Sequence, residues 1–278
     1  MKNIIFILLI LFTVSVGYGQ NNNLLNQRIN TFGDSISFIQ IKTDTIFNSN
    51  QIISLLILPK NAINKFNIEF AYSNSDLMPT SSFAKNKNAV AAINGGFFNM
   101  DSGGSTTYLE TDDIVISRNR NPDLKWGISN NITNGAIVIT DKFKIAIQAA
   151  NSEQFYESSK QESAVLITGP LLLLNSEVMK LPNMKFVNDR HPRTCLGISE
   201  ELIVFITIDG RKKEAEGMNL IEAQKFLLNI GCIDAINLDG GGSTTMWTKN
   251  KGIVNFPSDK SGERSVSNAL LIINKNNH

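Results

Sequence analysis

Leu202-Ile-Val-Phe-Ile-Thr-Ile208 runs straight into Asp209, and after an intervening Asn219–Ile230 segment Ile233-Asp-Ala-Ile-Asn-Leu238 runs straight into Asp239. Both apolar runs read as strands. Between them, Asn219 with Glu222 three residues on forms a capping box. Leu220, Ala223, Leu227 and Ile230 recur at helical spacing, and Gly231 supplies the stop. Strand, helix, strand over 202–238 predicts a βαβ unit, with two parallel strands joined by a right-handed crossover. Ligands gather beyond the carboxyl ends of parallel strands, so Asp209 and Asp239 are expected on one edge of the sheet.

Working outward, short apolar runs at residues 52–58, 89–93, 137–139, 165–167 and 269–273 also read as strands, several of them apolar on both faces. That pattern predicts an α+β fold with a mixed central sheet and helices packed on it. No Pro-, Gly- or Ser-rich linker divides the chain, so residues 36–278 are expected to form a single domain. Residues 20–35 are Asn-rich and read as a flexible lead-in. Residues 1–19 combine Lys2, an apolar run from Ile4 to Val16 and Gly17-Tyr18-Gly19, the pattern of a signal peptide cleaved near Gly19. The expected location is secreted or periplasmic. No later apolar run is long enough for a membrane span in the mature protein.

The chain has 278 residues, of which 42% are hydrophobic and 18% charged, a globular composition. Lys plus Arg number 26 against 25 Asp plus Glu, so there is no electrostatic footprint for nucleic acid or an anionic membrane surface. An anionic ligand would have to be held by a local cluster. The two cysteines, Cys195 and Cys232, could pair in an oxidising compartment or remain as buried thiols.

Such a cluster is present. In Asn237-Leu-Asp-Gly-Gly-Gly-Ser-Thr-Thr245, three glycines allow a tight turn whose amides can face an anion, with hydroxyls from Ser243 and Thr244 beside them. No Lys follows the glycines and the dinucleotide spacing is absent, which disfavours nucleotide binding. Asp101-Ser-Gly-Gly-Ser-Thr-Thr107 nearly copies this loop; its flanks differ and it reads first as coincidence, with a second anion-binding loop as the alternative. Arg190-His191-Pro192-Arg193-Thr194 adds guanidinium groups suited to phosphate oxygens around a lone internal His. Asp209, Asp239 and Asn237 could hold a hard divalent cation through oxygen, but nothing in the spacing demands a cofactor.

Taken together, Asn94-Gly-Gly-Phe-Phe98, Arg190 to Thr194 followed by Gly197, Ile208-Asp-Gly-Arg211, Gly217-Met-Asn-Leu220, Asn237 to Met246 and Glu263-Arg264 before Asn268 closely resemble the phosphodiester glycosidase family. The resemblance covers about residues 85 to 273; Cys195 departs from the family pattern, where a small residue is expected. It implies a hydrolase that cleaves the glycosidic bond of a sugar-1-phosphodiester, of the N-acetylglucosamine-1-phosphodiester kind, and releases free sugar and a phosphate monoester. The expected partner is therefore a sugar phosphodiester or phosphoglycan. Asp209, Asp239 and His191 are the catalytic candidates. Asn94, Gly95, Arg193, Thr194, Arg211, Gly240, Gly241, Gly242, Ser243, Thr244, Arg264 and Asn268 are the substrate-binding candidates, with Arg193 and Arg264 assigned to the phosphate. Two alternatives stay open: a phosphodiesterase that cuts the phosphorus–oxygen bond, and a non-catalytic module that binds anionic glycans.

Overall fold

The most apolar runs of the chain form adjacent strands. In the computed structural model, which describes residues 35–140, 144–159 and 161–275, Gln51–Pro59 and Leu202–Ile208 are buried at every position. They pair within a seven-stranded sheet ordered Ser37–Thr43, Gln51–Pro59, Leu202–Ile208, Arg193–Ile198, Asp234–Asn237, Leu171–Leu174 and Glu177–Val178. Two five-stranded sheets accompany it. One is ordered Ile114–Ser117, Leu109–Thr111, Glu162–Thr168, Gly135–Thr140 and Ile145–Ala149. The other is ordered Gly252–Ile253, Met246–Thr248, Ala91–Asn94, Asn268–Asn274 and Phe66–Tyr72. The leader and nearly all of the lead-in expected at residues 1–35 lie outside the described residues.

The period-two alternation of strands shows how the layers stack. Ile137, Ile139, Leu270 and Ile272 face a central core shared with Leu56, Leu58, Phe205 and Ile236 of the large sheet. Their neighbours Ala136 and Val138 face outward to Tyr108 and Tyr156, and Ala269 and Leu271 face Phe83 and Ala84 of the helix Thr80–Asn86. On its other face the large sheet presents Ile53, Leu55, Ile206 and Ile208 to the helix Leu220–Asn229. That helix begins at the predicted capping box, with Asn219 Oδ1 accepting from the Glu222 amide at 2.8 Å and Glu222 Oε2 accepting from the Asn219 amide at 3.0 Å. It buries Leu220, Ala223, Phe226 and Leu227, the large ones contributing about 2 kcal/mol each.

The class is α+β, weighted heavily toward β, but the sheet is not mixed. Every ladder among the described residues is antiparallel. Leu202–Ile208 and Asp234–Asn237 do run in the same direction, because each pairs antiparallel with Arg193–Ile198, which lies between them. The expected βαβ unit is thus a crossover past an interposed strand, and no parallel ladder forms. Arg193–Ile198 escapes a reading from pattern because Arg-Thr-Cys-Leu-Gly-Ile is short, polar at its start and broken by a glycine.

Candidate active site

The antiparallel arrangement delivers both acids to one edge. Asp209 and Asp239 follow strands that flank Arg193–Ile198, and they emerge where that middle strand begins. Two strand spacings separate their backbones by about 10 Å. Both following residues close on Pro192: a Cβ on Gly210 would lie 2.6 Å from Pro192 N, and one on Gly240 would lie 2.7 Å from Pro192 O. Only glycine fits either approach.

Asp239 is the centre of the charged cluster. Its carboxyl is partly buried, and desolvation pushes its pKa up to about 6, against the opposing pull of the Ser243 hydroxyl, Arg264, the Gly240 amide and Arg211. Arg264 lies against the glycine bend so closely that a Cβ on Gly242 would be 2.4 Å from its Nη2. Its Nε and Nη2 are paired with Asp259 Oδ2 at 2.7 and 2.6 Å. Arg211 approaches from the other side, with Nη2 3.0 Å from the site of a Cβ on Gly241. Arg211 is exposed, has a positive φ of 63°, and forms no ion pair among the described residues.

His191 is also partly buried. Desolvation together with the neighbouring Arg193 and Arg211 depresses its pKa, and its Nδ1 is buried with no hydrogen-bond partner among the described residues. Asp209 is sealed more deeply, at 1% exposure. Its Oδ1 accepts from Asn255 Nδ2 and from the Phe256 amide, each at 3.0 Å, its Oδ2 has no hydrogen-bond partner among the described residues, and burial raises its pKa.

Several expected ligands instead brace the protein. Arg193 is 1% exposed; its Nε donates to Met218 O at 2.9 Å and its Nη2 donates to Phe186 O and Asp189 O at 2.8 and 2.9 Å. Burial lowers its pKa to about 10. Its assignment to phosphate is therefore revised: the guanidinium groups that face Asp239 belong to Arg211 and Arg264. Asn94 is wholly buried. Its Oδ1 accepts from Thr194 Oγ1 at 2.7 Å and from the Thr245 amide at 3.0 Å, and its Nδ2 donates to Asp239 O at 2.7 Å. Asn268 Oδ1 accepts from the Gly96 amide at 2.7 Å, and a Cβ on Gly95 would lie 2.0 Å from that same oxygen. Asn94, Gly95, Thr194 and Asn268 form the floor, not the lining.

The glycine bend is also less open than expected. The Gly241 amide donates to Pro192 O, that of Ser243 to Gly240 O and that of Thr244 to Gly241 O, while Ser243 and Thr244 are buried below the bend. Asp259, Asn255 and Phe256 carry no motif in the sequence, where they sit in an unpatterned loop. The one available signal was the spacing of Asp259 five residues before Arg264. Arg190 belongs elsewhere, pairing with Glu222 at 2.6 Å and Glu216 at 3.0 Å at the start of the helix Leu220–Asn229.

Among the described residues no group of three or more His, Cys, Asp or Glu gathers as cation ligands. Asn237 Nδ2 is directed to Gly169 O at 2.9 Å, apart from the partners of Asp209. Cys195 and Cys232 are buried free thiols, each pushed up to about 12 by desolvation. The loop 101–107 that mimics the glycine bend is a separate turn held by Asn99 Oδ1, and its Asp101 is an exposed partner of Lys125. No helix among the described residues is long and apolar enough to cross a membrane.

The fold is thus a β-rich α+β domain that carries a carboxyl and two guanidinium groups on one sheet edge. A family model described as phosphodiester glycosidase matches residues 87–273, and the chain belongs to that family. N-acetylglucosamine-1-phosphodiester alpha-N-acetylglucosaminidase from Bos taurus is 28% identical over 208 residues, 63% of this chain and 34% of the bovine protein. The Homo sapiens protein of the same name is 29% identical over 179 residues, 60% of this chain and 33% of its own length. The chain thus spans about a third of these relatives. Among solved structures, the zebrafish catalytic domain of that name, auto-inhibited by its pro-peptide, superimposes with a TM-score of 0.67 at 20% identity, covering 87% of this chain and 83% of that one. A hypothetical protein from Synechocystis gives 0.65 at 14% identity, covering 87% of this chain and 62% of that one.

Proposed function

We propose that this protein is an exported hydrolase that cleaves the glycosidic bond of a sugar-1-phosphodiester. The observation that carries the reading is the convergence of Arg211 and Arg264 on the glycine bend beside Asp239. In the reaction the bond between the anomeric carbon and the phosphate oxygen breaks, with both electrons leaving on the oxygen, while a water oxygen bonds to the carbon. The phosphate gains a negative charge as the sugar becomes oxocarbenium-like. Two guanidinium groups, that of Arg264 held in place by Asp259, are suited to that growing charge. Asp239, with a pKa of about 6, takes the proton from the attacking water near neutral pH. His191, its pKa depressed by burial and its Nδ1 without a hydrogen-bond partner among the described residues, offers a hydrogen bond to the departing oxygen or the sugar. Asp209 is assigned as a positioning residue that holds the Asn255–Phe256 segment. Family membership, and relatives whose name specifies N-acetylglucosamine, support a 2-acetamido sugar as the group released.

The test is hydrolysis of UDP-N-acetylglucosamine and of a simple alkyl N-acetylglucosamine-1-phosphate in oxygen-18 water, read by mass spectrometry before the free sugar exchanges. Label in the sugar and none in the phosphate is expected, with turnover lost in Asp239→Asn. Label in the phosphate would instead identify phosphorus–oxygen cleavage. Binding of either compound without turnover would identify a non-catalytic glycan-binding module.

A further inference from the structure

The positive character of this edge continues past Asp239 on residues that the proposed reaction does not use. Strand Ser37–Thr43 turns Phe38, Gln40 and Lys42 to one face, and the segment 251–256 lies along it. Lys251 Nζ sits 4.8 Å from the centre of the Phe38 ring, and Gln40 Nε2 donates to Val254 O at 3.0 Å. Lys42 Nζ sits 5.3 Å from the centre of the Phe256 ring, and Lys212 Nζ approaches the same ring at 5.7 Å. From Phe38 to Lys42 the strand spans about 13 Å. The Phe256 amide hydrogen-bonds Asp209, so the track ends at the edge that carries the candidate site.

Two features of this track call for an anionic partner. Lys42, Lys212 and Lys251 are all exposed, and none forms an ion pair among the described residues. Phe256, moreover, stays 44% exposed while its ring lies against Lys42 and Lys212. Asp209 forms no ion pair with them among the described residues and is sealed beneath the Phe256 backbone. Alternating cations and aromatic rings suit a chain in which charge and apolar surface also alternate.

Building on the proposed function, we propose that this track binds the leaving side of the substrate, and that this side is an oligomer of phosphodiester-linked units. The lysines take successive phosphates, and Phe256 packs against the sugar or polyol between them. The substrate is then the sugar-capped end of a phosphodiester-linked polymer, with Arg211 and Arg264 holding the phosphate that is cut free.

The experiment uses the whole protein and two substrates with the same N-acetylglucosamine-1-phosphate, one ending in a methyl group and the other in tri(glycerol phosphate). Wild type should turn over the oligomer with a KM at least tenfold lower. The triple variant Lys42→Gln, Lys212→Gln, Lys251→Gln should lose that advantage and keep its rate on the methyl substrate, and Phe256→Ala should lose part of it. Equal KM values for both substrates in wild type would overturn the proposal. Calorimetry with sugar-free tri(glycerol phosphate) and with a phosphate-linked hexose trimer reads the track without turnover, so a failure of the hydrolase reading remains distinguishable. Binding lost in the triple variant supports the track, and the tighter trimer identifies the linking unit. Equal binding of inorganic tripolyphosphate, or tighter binding of a single-stranded oligonucleotide, would overturn it.

Discussion

Replacing Asp239 by Asn tests the electrostatics of the site without any knowledge of the substrate. The folded protein holds the Asp239 proton with a pKa of about 6, against 3.8 when unfolded. A raised folded-state pKa means that the stability tied to the proton is complete below about pH 4 and is lost as the pH rises through 6. The shift of about two units corresponds to about 3 kcal/mol, which partial exposure of the carboxyl trims toward 2. Asn is nearly isosteric and carries no titrating proton. The stability of wild type minus that of Asp239→Asn should therefore fall by about 2–3 kcal/mol between pH 4 and pH 7 and be flat above that. Urea denaturation of both proteins at five pH values measures the difference directly. Asp209 and every other carboxylate titrate in both proteins and cancel. At pH 7 the variant should be the more stable of the two, yet inactive, and the wild-type kcat/KM should rise with an apparent pKa near 6. A stability difference that stays constant from pH 4 to 7 would refute the burial argument and, with it, the role of Asp239 as a base near neutrality.

The two arginines should separate cleanly. Arg193→Met strands three backbone carbonyls and is expected to cost about 3 kcal/mol of stability in urea melts. Arg264→Ala should leave the melting temperature nearly unchanged while lowering kcat/KM on the order of 100-fold. At the glycine bend, Gly242→Ala meets the Arg264 guanidinium at 2.4 Å and displaces it, so activity should drop about tenfold with a stability change below about 1 kcal/mol. Gly95→Ala meets Asn268 Oδ1 at 2.0 Å and its backbone oxygen at 3.1 Å, and is expected to destabilise by more than about 2 kcal/mol. Cys195 and Cys232, buried and held near 12, should resist a thiol reagent in the native protein and react only on unfolding; rapid native labelling of either would contradict their placement.

The parts of this molecule legible in its sequence are those with strong local pattern. The capped helix Leu220–Asn229 and the strand Leu202–Ile208 are each specified by a periodicity that few alternatives share. The common edge of Asp209 and Asp239 followed from strand direction alone. The interposed strand Arg193–Ile198 was not legible, and with it went the antiparallel character of the sheet, since pairing partners are set by contacts far apart in sequence. The same limit applies within the site. Arg193 and Arg264 look alike in a motif, and only the surroundings show that one is spent on carbonyls while the other lies beside Asp239. Asp259, which steadies Arg264, carries no motif at all.

Asn94 joins three separate stretches with one side-chain amide: Thr194 from the large sheet, Thr245 from the start of the strand Met246–Thr248, and the main chain at Asp239. That knot makes the base of the site rigid and intolerant of change. The exposed side chains of Arg211 and Phe256 stand above it at the surface. Descendants of this scaffold can therefore acquire new substrates by rebuilding the rim, while the carboxyl beneath keeps its position.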